Sequence, residues 1–169
     1  MVEHRAGVLD PLFVGLSRIG SLALVWLVIG IALALLWRRP ALLLPLLLAV
    51  LAAEVTGFAL KRAIARDRPP LRYPEPKALI GVPHDSSFPS VHAATSFAAA
   101  TVLAFAVPRL APFLYVLAAG IAFSRVYVGV HYPLDVLAGA ALGLLLGLAA
   151  ALVGRRLRAL RPPAAAPRR

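Results

Sequence analysis

The chain alternates between long apolar stretches and short polar breaks. A helix needs about 20 mostly apolar residues to cross the hydrocarbon layer of a membrane. Five stretches approach that length, and the third and fourth of them are the shortest: residues 20–37, 41–60, 93–107, 110–123 and 133–153. The pattern therefore predicts an all-α, polytopic membrane bundle of five transmembrane helices.

The segment before the first stretch is harder to interpret. Residues 8–19, "VLDPLFVGLSRI", are too few to span and include two charged side chains, Asp10 and Arg18. We expect an interfacial segment within residues 1–19, and a sixth helix if this segment crosses the membrane. The first 20 residues lack the basic start and unbroken apolar run of a cleavable signal, so the first stretch is expected to direct insertion itself.

Composition supports the membrane assignment. Hydrophobic residues make up 61% of the 169 positions and charged residues only 15%, which a soluble domain of this size could not bury. The net charge of +11 would also suit a nucleic-acid-binding protein. With five apolar stretches, we instead expect the membrane bilayer as the partner and no nucleic acid. Cysteine is absent, so thiol chemistry and disulfides are excluded.

The chain is predicted to form one domain with a tail. Residues 1–154 form the membrane-embedded domain, and residues 70–89 form a proline-containing loop on one of its faces. A loop of this length is typical of a lid or binding element, although a plain linker is the alternative. Residues 155–169 are rich in arginine, proline and alanine and are predicted to be a disordered tail on an anionic membrane surface.

Three glycines in the fifth stretch are spaced four residues apart. Gly139, Gly143 and Gly147 lie in the sequence "GAALGLLLG". They share one helix face and allow a neighbouring helix to approach closely. We expect this face to pack inside the bundle rather than against a second copy of the chain, and the sequence leaves the oligomeric state open.

Alternation of the five helices would gather polar residues on one membrane face. The ends of the second and fourth helices would meet the starts of the third and fifth. This face would carry Lys61, Arg68, His92, Arg125, His131 and Asp135. The opposite face would carry Arg38, Arg39, Arg109 and the tail arginines. By the positive-inside rule we expect the arginine-rich face to be cytoplasmic, with the histidine-bearing face outside the cytoplasm at the plasma membrane.

The first polar motif, "KRAIARDRPP", occupies residues 61–70 at the end of the second stretch. Lys61 and Arg68 are two helical turns apart and would point the same way if the helix continues to Pro69. Glu54 lies on the same face inside the membrane, where an ionisable side chain is usually paired or functional. Taken alone, the basic residues also fit a collar of snorkelling side chains at the membrane boundary.

The second motif, "FPSVH", occupies residues 88–92 and precedes an apolar run. Ser90 is suited to cap the helix that follows, and the exposed backbone N–H groups of a helix start suit a phosphate. His92 would lie in the first turn, where it can exchange protons near neutral pH. An interfacial histidine without a catalytic role fits this stretch equally well.

The third motif, "SRVYVGVHYPLD", occupies residues 124–135. Arg125 ends one apolar helix, and Asp135 lies in the first turn of the next, four residues after His131. The carboxylate could accept a hydrogen bond from one imidazole nitrogen and leave the other free to attack an electrophile. The alternative is a helix capped by Asp135 beside an incidental histidine.

In this order the motifs fit K-x6-R-P, P-S-x-H and S-R-x5-H-x3-D, and the chain resembles the type 2 phosphatidic acid phosphatase superfamily. The resemblance covers about residues 54–147. The superfamily includes membrane lipid phosphatases and is related to vanadium haloperoxidases. One departure is Val91, where the family usually has a glycine whose N–H binds phosphate; valine keeps the N–H but adds a branched side chain. Members often have six spans, so the short N-terminal segment is a second departure.

The resemblance implies a role for each motif residue. His131 would attack phosphorus and form a phosphohistidine while Asp135 holds the ring. His92 would protonate the leaving oxygen and then activate water. The phosphoryl group would be bound by Lys61, Arg68, Ser90, Val91 and Arg125, with Glu54 in a supporting role. These motifs contain no cluster of carboxylates, so no metal ion and no cofactor are expected.

The implied activity is metal-independent release of phosphate from a lipid phosphate or diphosphate. The candidate substrates are polyprenyl diphosphates, phosphatidylglycerol phosphate and phosphatidic acid. A lipid-linked phosphotransferase of the same fold is the nearest alternative. Two alternatives belong to other classes of protein. One is a small membrane transporter that uses Glu54, and the other is an inactive scaffold in which Val91 has disabled the site.

Overall fold

The computed structural model describes residues 5–159, apart from the side chains of residues 22 and 158. Over this range the chain forms helices and no strand. The α-helices are α1 (Asp10–Ile19), α2 (Leu24–Leu36), α3 (Leu43–Ile64), α4 (Pro69–Arg72), α5 (Val91–Ala106), α6 (Ala111–Tyr127) and α7 (Pro133–Ala159). The predicted all-α fold is confirmed.

Fewer helices than expected are long enough to cross a membrane on their own. Within residues 5–159, length and hydropathy single out Pro40–Arg72, Pro108–Tyr127 and Pro133–Leu157. A fourth span results if Gly7–Ile19 and Leu24–Leu36, which meet at 69°, count as one broken span. Residues 20–37 were predicted as one continuous helix; this is wrong, because the chain turns at Ala23, whose φ is 54°. The number of crossings, five or six, stays a prediction.

Helix α5 forms the centre of the bundle. It is apolar but only 16 residues long. It packs against α3, α6 and α7, and most of its residues are buried, many of them alanines. Large apolar side chains instead cover the outer surface, including Leu44, Phe113 and Leu145. This arrangement is typical of a membrane protein, in which small residues allow close helix packing and large ones face lipid.

The most extensive helix contact lies between α5 and α7. The three glycines of α7 lie against backbone atoms of three α5-side residues that share their four-residue spacing. The pairs are Gly139 with the Ser90 carbonyl, Gly143 with that of Ala94 and Gly147 with that of Ala98. A Cβ atom at Gly147 would lie 2.6 Å from the Ala98 oxygen, closer than van der Waals contact permits. The glycine face therefore packs inside the bundle, as the sequence predicts.

A backbone hydrogen bond fixes the register of these two helices at their starts. The Ser90 N–H donates to the Asp135 carbonyl oxygen at 2.9 Å. Ser90 precedes α5, and Asp135 lies in the first turn of α7. The second and third sequence motifs are thus held side by side.

The loop at residues 70–89 closes over this end of the bundle. Its backbone is tied to both neighbours: Ser87 N–H donates to the Arg66 carbonyl at 2.8 Å, and Leu79 N–H to that of Val128 at 3.0 Å. At the other end of the chain, α7 continues to Ala159. The first five residues of the predicted tail, 155–159, are therefore helical, and residues 160–169 lie outside the described part of the chain.

The α5–α7 contact predicts that Gly143→Ala destabilises the protein. Its Cβ would overlap the Ala94 backbone, which cannot move without separating the helices, so we expect a loss of about 1–3 kcal/mol in the free energy of unfolding. Thermal denaturation in detergent measures the loss. Gly120→Ala is the matched control, because its Cβ would meet only the Leu16 side chain at 3.7 Å. An equal loss in both variants would contradict the close contact.

Candidate active site

A cavity of about 230 Å³ lies where the three sequence motifs meet. Seven of the predicted site residues line it: Glu54, Lys61, Arg68, Val91, His92, Arg125 and His131. The other lining residues are Gly20, Phe58, Pro83, Asp85 and Thr95. The two remaining predicted residues, Ser90 and Asp135, are fully buried behind this lining.

Lys61 and Arg68 reach the cavity by different routes. The helix does not continue to Pro69, the condition for one helix to carry both, because α3 ends at Ile64 and the next residue, Ala65, has a left-handed φ of 49°. Arg68 has extended backbone, which the following Pro69 favours. Both side chains are nevertheless buried at the cavity, Lys61 with 4% and Arg68 with 2% of its surface exposed.

Asp85 joins the two cations. One oxygen lies 3.1 Å from Lys61 Nζ, and the other accepts a hydrogen bond from Arg68 Nη2 at 2.5 Å. Burial alone would raise the pKa of Asp85, but the hydrogen bonds and charges of Arg68 and Lys61 lower it below the ordinary value. Asp85 is therefore a carboxylate at neutral pH. Asp85 was not predicted from the sequence, because its only signal is an acidic residue in a long loop.

The environment of His131 fixes its tautomer. Arg68 Nη1 lies 3.1 Å from His131 Nε2, and because a guanidinium can only donate, Nε2 must carry a lone pair. The proton is then on Nδ1, which lies 3.5 Å from Asp135 Oδ2. This separation is long for a hydrogen bond, and Nδ1 has no hydrogen-bond partner among the described residues. Contacts of this kind often tighten when substrate binds.

The charge state of His131 follows from its burial. Burial lowers its pKa to about 4; the neighbouring Asp135 opposes this shift, and the positive charges of Arg68 and Arg125 add to it. His131 is thus a neutral imidazole at physiological pH. Its unprotonated Nε2 is the atom that a nucleophilic role requires.

Asp135 is held by three groups besides His131. Arg66 Nη1 donates to Oδ1 at 2.8 Å, while the Ser87 hydroxyl and the Tyr132 N–H, the latter at 2.9 Å, donate to Oδ2. The Arg66 guanidinium also stacks on the Tyr132 ring at 4.1 Å. In the sequence, Arg66 is one of the basic residues of the first motif for which a snorkelling collar is the alternative, and nothing singles out Ser87, because the contacts of both bridge residues far apart in the chain.

Arg125 is anchored from the N-terminal helix. Its Nη1 donates to the Ser17 hydroxyl, and its buried Nε has no hydrogen-bond partner among the described residues. Helix α1 packs along α6, where the Tyr127 hydroxyl also donates to Asp10 at 2.8 Å. The segment at residues 8–19, expected only as an interfacial element, therefore supplies a site contact through Ser17. The sequence analysis missed this residue, since one serine carries no spacing signal.

The start of α5 has the predicted form. Ser90 caps the helix by accepting the Ala93 N–H at 3.5 Å, but its side chain does not line the cavity. The Val91 side chain faces α3 at Gly57, where an added Cβ would lie only 2.9 Å from Val91 Cγ2. Gly57 thus provides the space that the branched side chain needs. His92 lies in the first turn, with Nε2 3.5 Å from the Ser21 hydroxyl.

The remaining acidic residue of the cavity is Glu54. It is half-buried in α3, seven residues before Lys61, and no ion pair to it occurs among the described residues. Residues 5–159 contain no group of three or more histidine, aspartate or glutamate side chains placed to hold a metal ion. The ligands available in the cavity are instead cationic, which suits an anion.

A known protein family matches most of the chain. The family model described as the PAP2 superfamily matches residues 42–159. The chain belongs to the PAP2 superfamily. The match includes all three motifs but begins after α1 and α2, so the Ser17 contact lies outside the part that the PAP2 model covers.

Individual PAP2 relatives are phosphatases by name. The chain is 36% identical over 142 residues to decaprenylphosphoryl-5-phosphoribose phosphatase of Mycobacterium tuberculosis, covering 83% of this chain and 77% of that protein. It is 34% identical over 146 residues to undecaprenyl-diphosphatase of Sulfolobus acidocaldarius, covering 83% and 68%. The crystal structure of Aquifex aeolicus LpxE superposes with a TM-score of 0.75 at 30% identity, covering 88% of each chain. The predicted enzyme class is confirmed: this PAP2 protein is a membrane phosphatase.

The buried, neutral state of His131 predicts a pH-dependent stability. In the unfolded chain the histidine titrates near its ordinary pKa of 6.5, and in the folded protein near 4. Between these values only the unfolded state binds the proton, so stability falls as pH drops from 6.5 to 4. The stability advantage of the wild type over His131→Gln should shrink by roughly 3 kcal/mol over this range. Denaturation in detergent followed by the fluorescence of buried Trp26 measures it, and parallel pH curves would contradict the assignment.

Proposed function

We propose that the protein hydrolyses a lipid phosphate at the membrane surface through a phosphohistidine on His131. One observation carries the proposal: the unprotonated Nε2 of His131 faces a cavity whose cations include Arg125, a buried guanidinium with an unpartnered donor. An unpaired buried donor is costly unless a ligand satisfies it. A phosphoryl group would supply the missing acceptor.

The first step transfers the phosphoryl group to the enzyme. His131 Nε2 attacks phosphorus, and the bond between phosphorus and the lipid oxygen breaks. The Arg68 N–H that now faces Nε2 would turn to a phosphoryl oxygen as the lone pair engages. His92, protonated when the anionic substrate is bound, gives its proton to the leaving oxygen. Asp135, held by Arg66, Ser87 and Tyr132, would stabilise the positive charge that develops on the His131 ring.

The second step releases phosphate. Neutral His92 takes a proton from water as the water oxygen attacks phosphorus, and the P–N bond to His131 breaks. The products are inorganic phosphate, neutral His131 and protonated His92, so the enzyme returns to its starting state. A phosphotransferase would differ only in replacing water by another hydroxyl, and analysis of the products separates the two activities.

The cations supply the transition-state stabilisation. Lys61, Arg68 and Arg125 are buried at the cavity, where fixed charges act more strongly than in water. Arginine is suited to the task because its planar fork donates to two oxygens at once. The free backbone N–H groups at the start of α5, including that of Val91, would add further donors. We give the Ser90 side chain the role of helix cap rather than ligand, and Glu54 a supporting role at the deep end of the cavity.

A lipid substrate fits the surroundings of the cavity. His131 also lines a neighbouring cavity of about 420 Å³, whose lining includes Val126 and Pro133. These two residues in turn line an apolar groove of about 280 Å³ between α5, α6 and α7. We propose that a lipid whose phosphate lies at His131 directs its apolar chain past Val126 and Pro133 toward this groove. The polyprenyl substrates in the names of two relatives support the same substrate class.

We place the active site on the extracytoplasmic face of the plasma membrane. The support is the arginine distribution, since Arg39 and Arg109 lie together at the opposite end of the bundle. Basic residues in short loops favour the cytoplasmic side. Protease accessibility of the loop at residues 70–89 in oriented vesicles tests this orientation.

Phosphate release by the purified protein tests the activity. A panel of lipid phosphates and diphosphates is incubated with the wild type and with His131→Ala, in the presence of a chelator. We expect metal-independent release, reduced at least about a thousandfold in the variant, because the nucleophile is lost. His84→Ala is the matched control, since this exposed histidine is not one of the residues that line the cavity. Release that persists in His131→Ala, or a wild type silent on every lipid, would overturn the proposal.

A further inference from the structure

Asp85 is an unexpected group in a cavity that binds an anion. Its carboxylate pairs with Lys61 and Arg68, the two cations that a phosphate would need. A negative charge there repels the substrate, so its presence requires an explanation beyond simple attraction. The contacts of Asp85 suggest that it limits how much negative charge the site accepts.

Asp85 and its neighbours use most of the donors that the two cations offer. Lys61 Nζ donates to the Ser86 carbonyl and pairs with Asp85, which leaves one N–H of its ammonium. Arg68 donates Nε to the Asp85 carbonyl at 2.9 Å, Nη2 to the Asp85 side chain and Nη1 to the Val130 carbonyl at 2.9 Å. Only the Nη1 hydrogen facing His131 and one Nη2 hydrogen remain.

The donors that remain suit one phosphoryl group beside His131. They are the two remaining N–H groups of Arg68, one N–H group of Lys61 and the free N–H groups of Arg125. Arg125 has no acidic partner among the described residues. A second phosphate would compete with Asp85 for the hydrogens of Lys61 and Arg68 that the carboxylate accepts. Asp85 also reduces the positive charge offered by the three cations, which disfavours the more highly charged diphosphate relative to the dianion of a phosphate monoester.

We infer that Asp85 makes the active site selective for a single phosphate over a diphosphate. The inference rests on the proposed function, since it concerns the substrate class of the same site. Asp85 acts by occupying the Lys61 and Arg68 donors and by repelling the additional charge, without taking part in the chemistry. The names of the relatives include both a phosphoribose phosphatase and a diphosphatase, so the family alone does not fix this preference.

The test compares two substrates that differ only in the second phosphate. Farnesyl phosphate and farnesyl diphosphate are hydrolysed in separate reactions by the wild type and by Asp85→Asn, and the ratio of the two kcat/KM values is measured for each protein. Because both values come from the same sample, the ratio is independent of how much protein is folded. We expect the wild type to prefer the monophosphate and Asp85→Asn to shift the ratio toward the diphosphate by at least about tenfold, as removal of a like charge predicts.

Asp67→Asn is the matched control. Asp67 lies next to Arg68 in sequence, is exposed and forms no ion pair among the described residues. Its substitution changes the net charge by the same amount, so the ratio should stay at the wild-type value. An equal shift in both variants would mean that general charge, not the Asp85 contacts, sets the preference, and would overturn the inference.

Other outcomes also decide the question. A wild type that prefers the diphosphate overturns the inference. An Asp85→Asn variant in which both kcat/KM values change by the same factor also overturns it, because this is the result expected if Asp85 belongs to a lid that any substrate displaces. If the wild type hydrolyses neither lipid, the proposed function fails, and binding remains as a separate readout. In that case protection against thermal unfolding by pyrophosphate relative to orthophosphate should increase in Asp85→Asn, and an unchanged relative protection contradicts the role of Asp85.

Discussion

The close contact between α5 and α7 is the constraint on which the site depends. Glycines on α7 let it approach the α5 backbone, and the Ser90–Asp135 hydrogen bond of 2.9 Å fixes the register at one end. His92 lies two residues after Ser90, and His131 lies four residues before Asp135, the other partner in this bond. A wider helix separation would move the two histidines apart together with their motifs. Packing of small residues thus determines where the chemistry can occur.

Paired charges hold the site together without neutralising it. Asp135 is matched by Arg66, and Asp85 by Lys61 and Arg68. Buried charges left without partners are destabilising, so each pairing helps to keep an ionised group near the membrane boundary. The remaining cation, Arg125, is fixed through Ser17 and keeps an open donor. The same set of contacts therefore maintains the fold and leaves capacity for one anion.

The sequence predicted the features that depend on local pattern. Hydropathy identified the helical membrane fold, and the motif spacings identified most of the residues that line the cavity. The sequence left open where α3 ends, because no residue type marks the left-handed turn at Ala65. Asp85, Ser87 and Ser17 were missed for another reason. Their partners lie 17 to 108 residues away in the chain, and such contacts exist only once the bundle has formed.

Trapping a covalent intermediate is the most direct test of the account. An aryl phosphate with an apolar tail needs no proton for its leaving group, so His92→Asn should complete the first step with it and fail at the second. The account predicts that this variant accumulates a phosphoryl group on His131 that is stable to base, labile to acid and located by mass spectrometry of the peptide. Release of the phenol with no phosphate ever attached to His131 would contradict the histidine mechanism.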